Sequence, residues 1–491
     1  MDLITLQKQN PWWESPQRIE EDTKLKELET YAIVWSPRIL KHIDLEKNAV
    51  YSIRGPRQIG KTTTIKQIIK KLLKTKNPSN IFYFACDNLK DNTELQDLLE
   101  TYYEWARNQN KERIYLFLDE ISYVKEWQRA VKHFIDTKGS NNITMTLTGS
   151  HILDLKQSTE RLPGRVGEKE GITSNKILLP MKFAEFAELI DPGIYGQAKK
   201  WKLDQQEPRN ADFTQIINGT LPKSAWDLSR ITLALDRLLD EYLITGGIML
   251  AINDYHKTRK ISPQIYEMYA KQILADVTRA GREEKTAKLF IGSVLKKMGS
   301  PISWNGIRAE NDIASTPTVE QYAYVLRDLF VLSICYKAEL DGKQNPAGNK
   351  KIYIQNPFIF NALYAALFES TKDPHLVAQE NIFSSERKSA LIEALVFNHL
   401  SRALYNLRPS DLYDPSDSIF YAKTNKGYEI DFVLKAQDRF SGIEVTYQNT
   451  LNPEDFRGLR KINGGCMVSK KEFMQKEKIA VIPASLFLLY I

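Results

Sequence analysis

NAVYSIRGPRQIGKTTTIKQIIKKLL, residues 48–73, runs from a β-rich segment through a glycine-bounded loop into an amphipathic helix. Val50, Tyr51 and Ile53 supply the strand-forming residues, and Ile65, Ile68, Ile69, Leu72 and Leu73 recur at helical spacing. Between them Gly55, Pro56, Arg57, Gln58, Ile59, Gly60, Lys61 and Thr62 satisfy G-x-x-x-x-G-K-[ST], with Thr63 following. Glycines at those places let the backbone curl so that its N–H groups point inward, and the N-terminus of the helix adds partial positive charge. That is the chemistry of a phosphate cradle. Lys61 is expected to reach the β- and γ-phosphates of ATP and the Thr62 hydroxyl to ligate Mg2+, so ATP and Mg2+ are the expected cofactors.

Downstream, the apolar run Ile114-Tyr115-Leu116-Phe117-Leu118 ends in Asp119-Glu120. A strand delivering two carboxylates at its end, at this distance after such a loop, reads as the second half of the site. Asp119 is expected to hold the magnesium through water and Glu120 to act as general base on the attacking water. The next β-rich run ends in Thr146-Leu147-Thr148-Gly149-Ser150, which places the hydroxyls of Thr148 and Ser150 where a γ-phosphate could be sensed. Arg165, in RLPGRVG, is a candidate to neutralise transition-state charge in a neighbouring subunit, which would require a homo-oligomer.

Around this centre the sequence alternates short β-rich runs with helical periodicity from 48 to about 180. The strands expected are NAVYSIR, IFYFA, IYLFLD, ITMTLTGS and NKILLP, an α/β pattern of parallel sheet and covering helices. With 491 residues, several domains are needed, since single cores stop growing well below that length. The expected division is an N-terminal extension, 1–47, anchored by Trp12, Trp13 and Trp35; the ATPase core, 48–190; a helical lid, 191–280; a winged helix, 281–384; and a last α/β domain, 385–491. Within the lid, QQEPRNADFTQIINGTLPKS reads as a loop on its Pro and Asn content. The three cysteines, Cys86, Cys335 and Cys466, are far apart and suit neither a disulfide framework nor a zinc site. No stretch is long and apolar enough to span a bilayer, and the first residues lack the profile of a targeting signal, which leads to the expectation of a cytoplasmic protein without a membrane partner.

The set GPRQIGKTT, YLFLDEIS, TLTGSH, RLPGRVG and LLPMKFAEF, in that order, resembles the prokaryotic AAA-type ATPases whose C-terminal region is a family of unknown function. NPWW near the start and Gly246-Gly247 look like that family too. The resemblance covers essentially the whole chain, with its specific motifs in the first 190 residues. It implies a P-loop sheet in strand order 5-1-4-3-2, then helices, a winged helix and a restriction-endonuclease-like, or PD-(D/E)XK-like, terminal domain. It also implies the roles already assigned, with a sensor at Thr148 or Ser150 and an arginine finger at Arg165.

The later regions point to DNA. Residues 281–355 read as helix, helix, helix and a two-stranded wing. The third helix, Thr316 to Leu332, carries one arginine, Arg327, so phosphate contact is expected from the wing lysines Lys343, Lys350 and Lys351. In the last domain Glu393, Asp431 and Glu444 are spaced like the metal-gathering carboxylates of restriction-endonuclease-like nucleases. The lysine such enzymes place two residues after the last acid is Thr446 here, leaving Gln448, Lys423 or Lys435 as substitutes and the nuclease reading weaker. Three functions therefore stand side by side: an ATPase coupled to DNA-contacting domains, a nucleotide-gated switch, and a metal-dependent nuclease.

Overall fold

The computed structural model describes residues 2–110, 112–138, 142–149, 175–339, 345, 348–407, 414–424, 427–436, 439–462 and 464–491. Its chain divides into a first unit, Met1–Leu179, and a second built from Pro180–Leu407 and Asp414–Ile491.

In the first unit five strands, β1 (Ala49–Arg54), β2 (Ile81–Ala85), β3 (Ile114–Asp119), β4 (Ile143–Gly149) and β5 (Asn175–Ile177), form one sheet in the order β5-β1-β4-β3-β2. Every neighbouring pair is parallel. The order 5-1-4-3-2 that the resemblance implied is thus the observed one, with β5 shorter than the sequence suggested.

Strand periodicity of two sorts the side chains between two layers. Val50, Phe82, Phe84, Leu116, Leu118, Met145 and Leu147 face the helices Asn92–Gln109 and Trp127–Lys138. Tyr51, Ile53, Ile81, Tyr83, Tyr115 and Phe117 face the helix Lys61–Leu72, through Ile65, Ile68, Ile69 and Leu72. Each such side chain contributes about 1.5–3 kcal/mol when fully buried, so the two apolar layers hold the sheet rigid. The alternation also decides which polar residues meet. Asp119 follows Tyr115 and Phe117 in phase, and Thr148 is out of phase with Met145 and Leu147, so both emerge on the side of the Lys61–Leu72 helix.

The N-terminal extension is stitched along the free edge of β2 by side chains. The Tyr83 N–H donates to Asn10 Oδ1 at 2.7 Å and the Ala85 N–H to Gln9 Oε1 at 2.8 Å. Asn10 Nδ2 donates to the Tyr83 carbonyl at 2.9 Å, and the indoles of Trp12 and Trp13 donate to the Ile81 carbonyl at 2.9 and 3.0 Å. Side chains thereby satisfy ladder groups that a sixth strand would otherwise have to meet. Trp13 packs against Trp105, with ring centroids 4.2 Å apart, and Trp12 is fully buried.

The second unit is mostly helical up to residue 331. Residues 205–224 depart from expectation: Gln206–Ile217 is a helix, not a loop. Pro208 lies in its first turn, where no intrahelical N–H bond is lost, and Phe213, Ile216 and Ile217 are buried at helical spacing. Gly246 and Gly247 both have positive φ, 63° and 69°. A Cβ on Gly246 would lie 2.1 Å from Asn356 Oδ1, and one on Gly247 would lie 2.5 Å from the Met181 carbonyl, so neither place tolerates a side chain.

Helices Glu284–Lys297, Trp304–Glu310 and Thr316–Asp328 are followed by the antiparallel pair β6 (Leu332–Tyr336) and β7 (Lys350–Ile354). After helices Pro357–Phe368 and Pro374–Phe383, the helix Ser385–Leu407 leads into β8 (Ile419–Lys423), β9 (Glu429–Ala436) and β10 (Arg439–Thr446). Helix Arg457–Lys461 and strands β11 (Gly465–Ser469), β12 (Met474–Lys476) and β13 (Ile479–Pro483) complete a mixed sheet ordered β12-β13-β11-β10-β9-β8. The apolar run at 484–491 begins as a short helix, Ala484–Phe487, and is buried throughout. All three cysteines are buried and free. Among the described residues no helix is long and apolar enough to cross a membrane.

Candidate functional site

The loop from Gly55 to Gly60 leaves the end of β1 and enters the Lys61–Leu72 helix. Two features force its residue types. The Leu178 N–H donates to the Arg54 carbonyl at 2.7 Å, and a Cβ on Gly55 would stand 2.0 Å from the Leu178 carbonyl oxygen. Gly60 has φ +95°, and Gln58 turns at φ +57°. A Cβ on Gly60 would meet nothing within 4 Å, so the chain there is glycine for its conformation, while open space lies before it. Arg57 reaches out to the Tyr123 hydroxyl at 2.5 Å, and Pro56, Ile59 and Thr63 complete the turn into the helix.

Lys61 is buried and its ammonium donates to the carbonyls of Gly55 at 3.1 Å and Pro56 at 3.0 Å. Glu120 Oε1 lies 3.8 Å from the same nitrogen. Asp119 is the hub. Its Oδ2 accepts from the Thr62 hydroxyl at 2.7 Å and from the Tyr83 hydroxyl at 3.0 Å, and its Oδ1 accepts from the Thr148 hydroxyl. Thr148 Oγ1 also accepts the Glu120 N–H at 2.9 Å, which holds the Asp119–Glu120 peptide while Glu120 takes the left-handed φ of +50°. Burial, and next the charge of Asp119, push the Tyr83 phenol far up, so it remains a donor.

The structure therefore brings Lys61, Thr62, Asp119, Glu120 and Thr148 into one place at the C-terminal end of the parallel strands, where ligands of open α/β sheets bind. Ser150 and Arg165 lie outside the described residues. Tyr83 was missed by sequence reasoning; its place in phase with the apolar face of β2 was the available signal. A hard divalent cation fits the donor set, since the Thr62 hydroxyl and the Asp119 carboxylate are both oxygen donors and adjacent.

In the second unit Glu393, Asp431 and Glu444 do come together, but around a lysine that sequence reasoning had placed elsewhere. Lys351 of β7, expected on an exposed wing, is buried. Its Nζ lies 2.7 Å from Asp431 Oδ1, 2.9 Å from Glu429 Oε1 and 3.0 Å from Glu393 Oε1. Tyr353 donates to Glu393 at 2.7 Å, the Val445 N–H donates to Asp431 Oδ2 at 2.9 Å, and the Asp431 N–H donates to Glu444 at 3.3 Å. Burial alone would lower the Lys351 ammonium, but Asp431, Glu393 and Glu429 outweigh it and hold it well above its ordinary value. Burial, with the nearby Asp431 charge, pushes Glu393 up to about 7 and Glu444 well up.

Among the described residues no group of three or more His, Cys, Asp or Glu is arranged to hold a metal ion. Of the expected substitutes for the missing lysine, Lys423 stays at the rim, 3.4 Å from Glu429, and Gln448 bonds to Asp455. The expected phosphate contact by Lys350 and Lys351 is likewise corrected. Lys350 is buried over the Trp304 ring, 4.3 Å from its centroid, because β7 is covered on both faces; Lys343 lies outside the described residues. Arg327 is bound to Asp328 at 3.0 Å and faces Asp414 at 3.6 Å, so it too is engaged within the unit.

The model of an AAA domain matches residues 47–187. The match takes in the parallel sheet and the loop described above, so this segment is similar to an AAA domain. Two further models match, both of domains of unknown function: DUF8612 over residues 236–371 and DUF4143 over residues 388–487. The uncharacterized protein MJ1637 of Methanocaldococcus jannaschii is 28% identical over 244 residues, 49% of this chain and 46% of that protein. The chain therefore spans about half the length of this curated relative. Among solved structures, the Walker-type ATPase PABY2304 of Pyrococcus abyssi is similar over 70% of this chain and 95% of its own, at 13% identity and TM-score 0.36. The ORC1 protein of Aeropyrum pernix, solved in complex with DNA, is similar over 73% of this chain and 97% of its own, at 12% identity and TM-score 0.32. Values this low carry no functional argument.

Proposed function

We propose that the first unit binds ATP with magnesium and hydrolyses it to ADP and phosphate. The observation that carries this is the convergence of Thr62 and Thr148 on Asp119, beside Lys61 and Glu120. In this reading the loop from Gly55 to Thr63 surrounds the phosphates with its N–H groups, and Lys61 turns from the carbonyls of Gly55 and Pro56 toward the β- and γ-phosphates. Magnesium, when bound, neutralises charge shared by those two phosphates. Thr62 and Asp119 would hold it. Glu120 removes a proton from the attacking water as its oxygen bonds to the γ-phosphorus and the bond to ADP breaks. Thr148 senses the γ-phosphate through Asp119 and the Glu120 peptide, and Ser150 and an arginine finger at Arg165, acting across a homo-oligomer, complete the proposal. Lys61→Ala and Asp119→Asn, assayed by fluorescent-nucleotide binding and phosphate release, test it: turnover unchanged in both variants would sink the reading.

The cycle is proposed to drive the second unit on DNA. Support comes from the net charge of +7 and from the order of three helices and a hairpin, which suits a winged helix, though its buried lysines are not the contacts. Turnover with and without single-stranded, duplex and branched DNA tests that coupling. A second reading, a nucleotide-gated switch with little turnover, draws on the contact of Glu120 with Lys61, which engages the intended base. Tight ATP binding with negligible phosphate release, with or without DNA, would favour it. The order helix, three strands, helix, strand from Ser385 to Ser469 suits a nuclease-like terminal domain, but Lys351 occupies the middle of its carboxylates and weighs against cleavage.

A further inference from the structure

Asp119 is held from a direction that the loop and strand-end motifs do not explain. Tyr83, from the neighbouring strand β2, donates to the same Oδ2 that accepts from Thr62. Two residues fix Tyr83 in turn. Asn10 of the N-terminal extension bonds both its N–H and its carbonyl. The Lys66 ammonium lies 3.3 Å from the centroid of its ring, a cation–π contact. Lys66 itself is pinned, 3.1 Å from Asp22 Oδ2 and 5.3 Å from the centroid of the Trp12 ring.

Lys66 sits one helical turn after Thr62, so a single helix face presents the Thr62 hydroxyl to Asp119 Oδ2 and the Lys66 ammonium to the ring whose hydroxyl reaches the same oxygen. The path Asp22, Lys66, Tyr83, Asp119 joins the N-terminal extension to the carboxylate. Asp22 is anchored as well: its Oδ1 caps the helix Thr23–Glu29 by accepting from Lys24 N at 2.9 Å.

Resting on the reading of the first unit as a magnesium-dependent ATP site, we propose that Tyr83 is a positioning residue for Asp119, and that Asp22 and Lys66 set Tyr83. A carboxylate in water is free to rotate, and one that must receive a hydrated cation gains from being oriented beforehand. The Tyr83 hydroxyl supplies that orientation while Thr148 fixes the other oxygen. The extension then bears on the nucleotide site through Tyr83 and Lys66.

The test is fluorescent mant-ATP binding to the full-length chain in EDTA and in excess magnesium, for wild type, Tyr83→Phe and Asp22→Asn. Binding in EDTA should be unchanged in both variants, because the loop is untouched. The gain in affinity on adding magnesium should shrink about tenfold in Tyr83→Phe, which loses one hydrogen bond to a charged group, and about threefold in Asp22→Asn, which only frees Lys66. Variants that keep the whole gain, or lose affinity equally in both media, overturn the positioning role. Should Tyr83→Phe not fold, Asp22→Asn alone decides by the same criterion. Wild type that binds mant-ATP in neither medium overturns the underlying ATP reading, and the positioning role with it; wild type with a magnesium gain that its variants share overturns the positioning role only.

Discussion

Lys351 Nζ stands 2.7 Å from Asp431 Oδ1, so a lysine in strand β7 neutralises an acid in strand β9. Glu393 and Glu429 share that ammonium, and its side chain is only 1% exposed. A buried cation among several carboxylates has no exchange with water to soften its loss. Lys351→Met should therefore destabilise the second unit by about 3–5 kcal/mol, the cost of leaving buried charge uncompensated. Chemical denaturation of the full-length chain followed by circular dichroism measures it, and a midpoint unmoved from wild type would show that the cluster is held by something else.

The same cluster makes a pH prediction. Glu393 has its folded value raised from 4.5 to about 7, so the folded chain keeps a proton that the unfolded chain has already released. Its contribution is full below pH ~4.5 and is lost as pH rises through about 7, up to about 3 kcal/mol in all. His399 works in the opposite sense. It is buried, accepts the Phe183 N–H at 3.0 Å, and burial, with Arg402 and Lys182 nearby, keeps its ring neutral well below 6.5. Its contribution is full above pH ~6.5 and is lost as pH falls below that. Glu393→Gln should flatten the alkaline limb of the stability profile and leave the acid limb in place.

Thr148→Val keeps the shape of the side chain while removing the hydroxyl that donates to Asp119 and accepts the Glu120 N–H. Thermal stability should fall by about 1–3 kcal/mol, since the part-buried Glu120 N–H loses its acceptor and the Asp119 carboxylate loses a donor. Phosphate release should fall at least about tenfold with nucleotide affinity in EDTA changed little, because the groups disturbed are those acting on water and on magnesium and not those gripping phosphate. Equal loss of affinity and turnover would place Thr148 with the binding residues instead.

The two loop glycines should fail differently. Gly55→Ala drives a methyl against the Leu178 carbonyl, 2.0 Å away, and overpacking of this kind costs about 1–3 kcal/mol or more. Gly60→Ala meets no atom but must hold φ +95°, a backbone cost of about 1–2 kcal/mol. Both should weaken nucleotide binding; only Gly55→Ala should loosen β5 from β1, visible as faster amide exchange at Leu178.

Much of the candidate site was legible because its parts are local. Gly55 to Thr62 is a contiguous motif, and Asp119 and Thr148 end strands whose alternation fixes which way they face. Tyr83 was hidden by looking like core: its ring belongs to the apolar layer and only its hydroxyl does other work. Lys351 was misplaced for the converse reason. A lysine in a hairpin reads as solvent-facing until the partners that make its burial tolerable are known, and Glu393, Glu429 and Asp431 lie 42 to 80 residues away in sequence. The helix Gln206–Ile217 was concealed by Pro208, whose first-turn position cannot be told from composition.

The side chains of Gln9, Asn10, Trp12 and Trp13 bear on where this domain can be cut. The AAA domain match begins at residue 47, yet a fragment started there would lose every one of these residues. The Ile81 and Tyr83 carbonyls and the Tyr83 and Ala85 amides would then face solvent as an open template, and two such fragments could zip together through them. Recombinant production of this domain should therefore retain residues 9–13, and self-association of a shorter piece would be a property of the truncation.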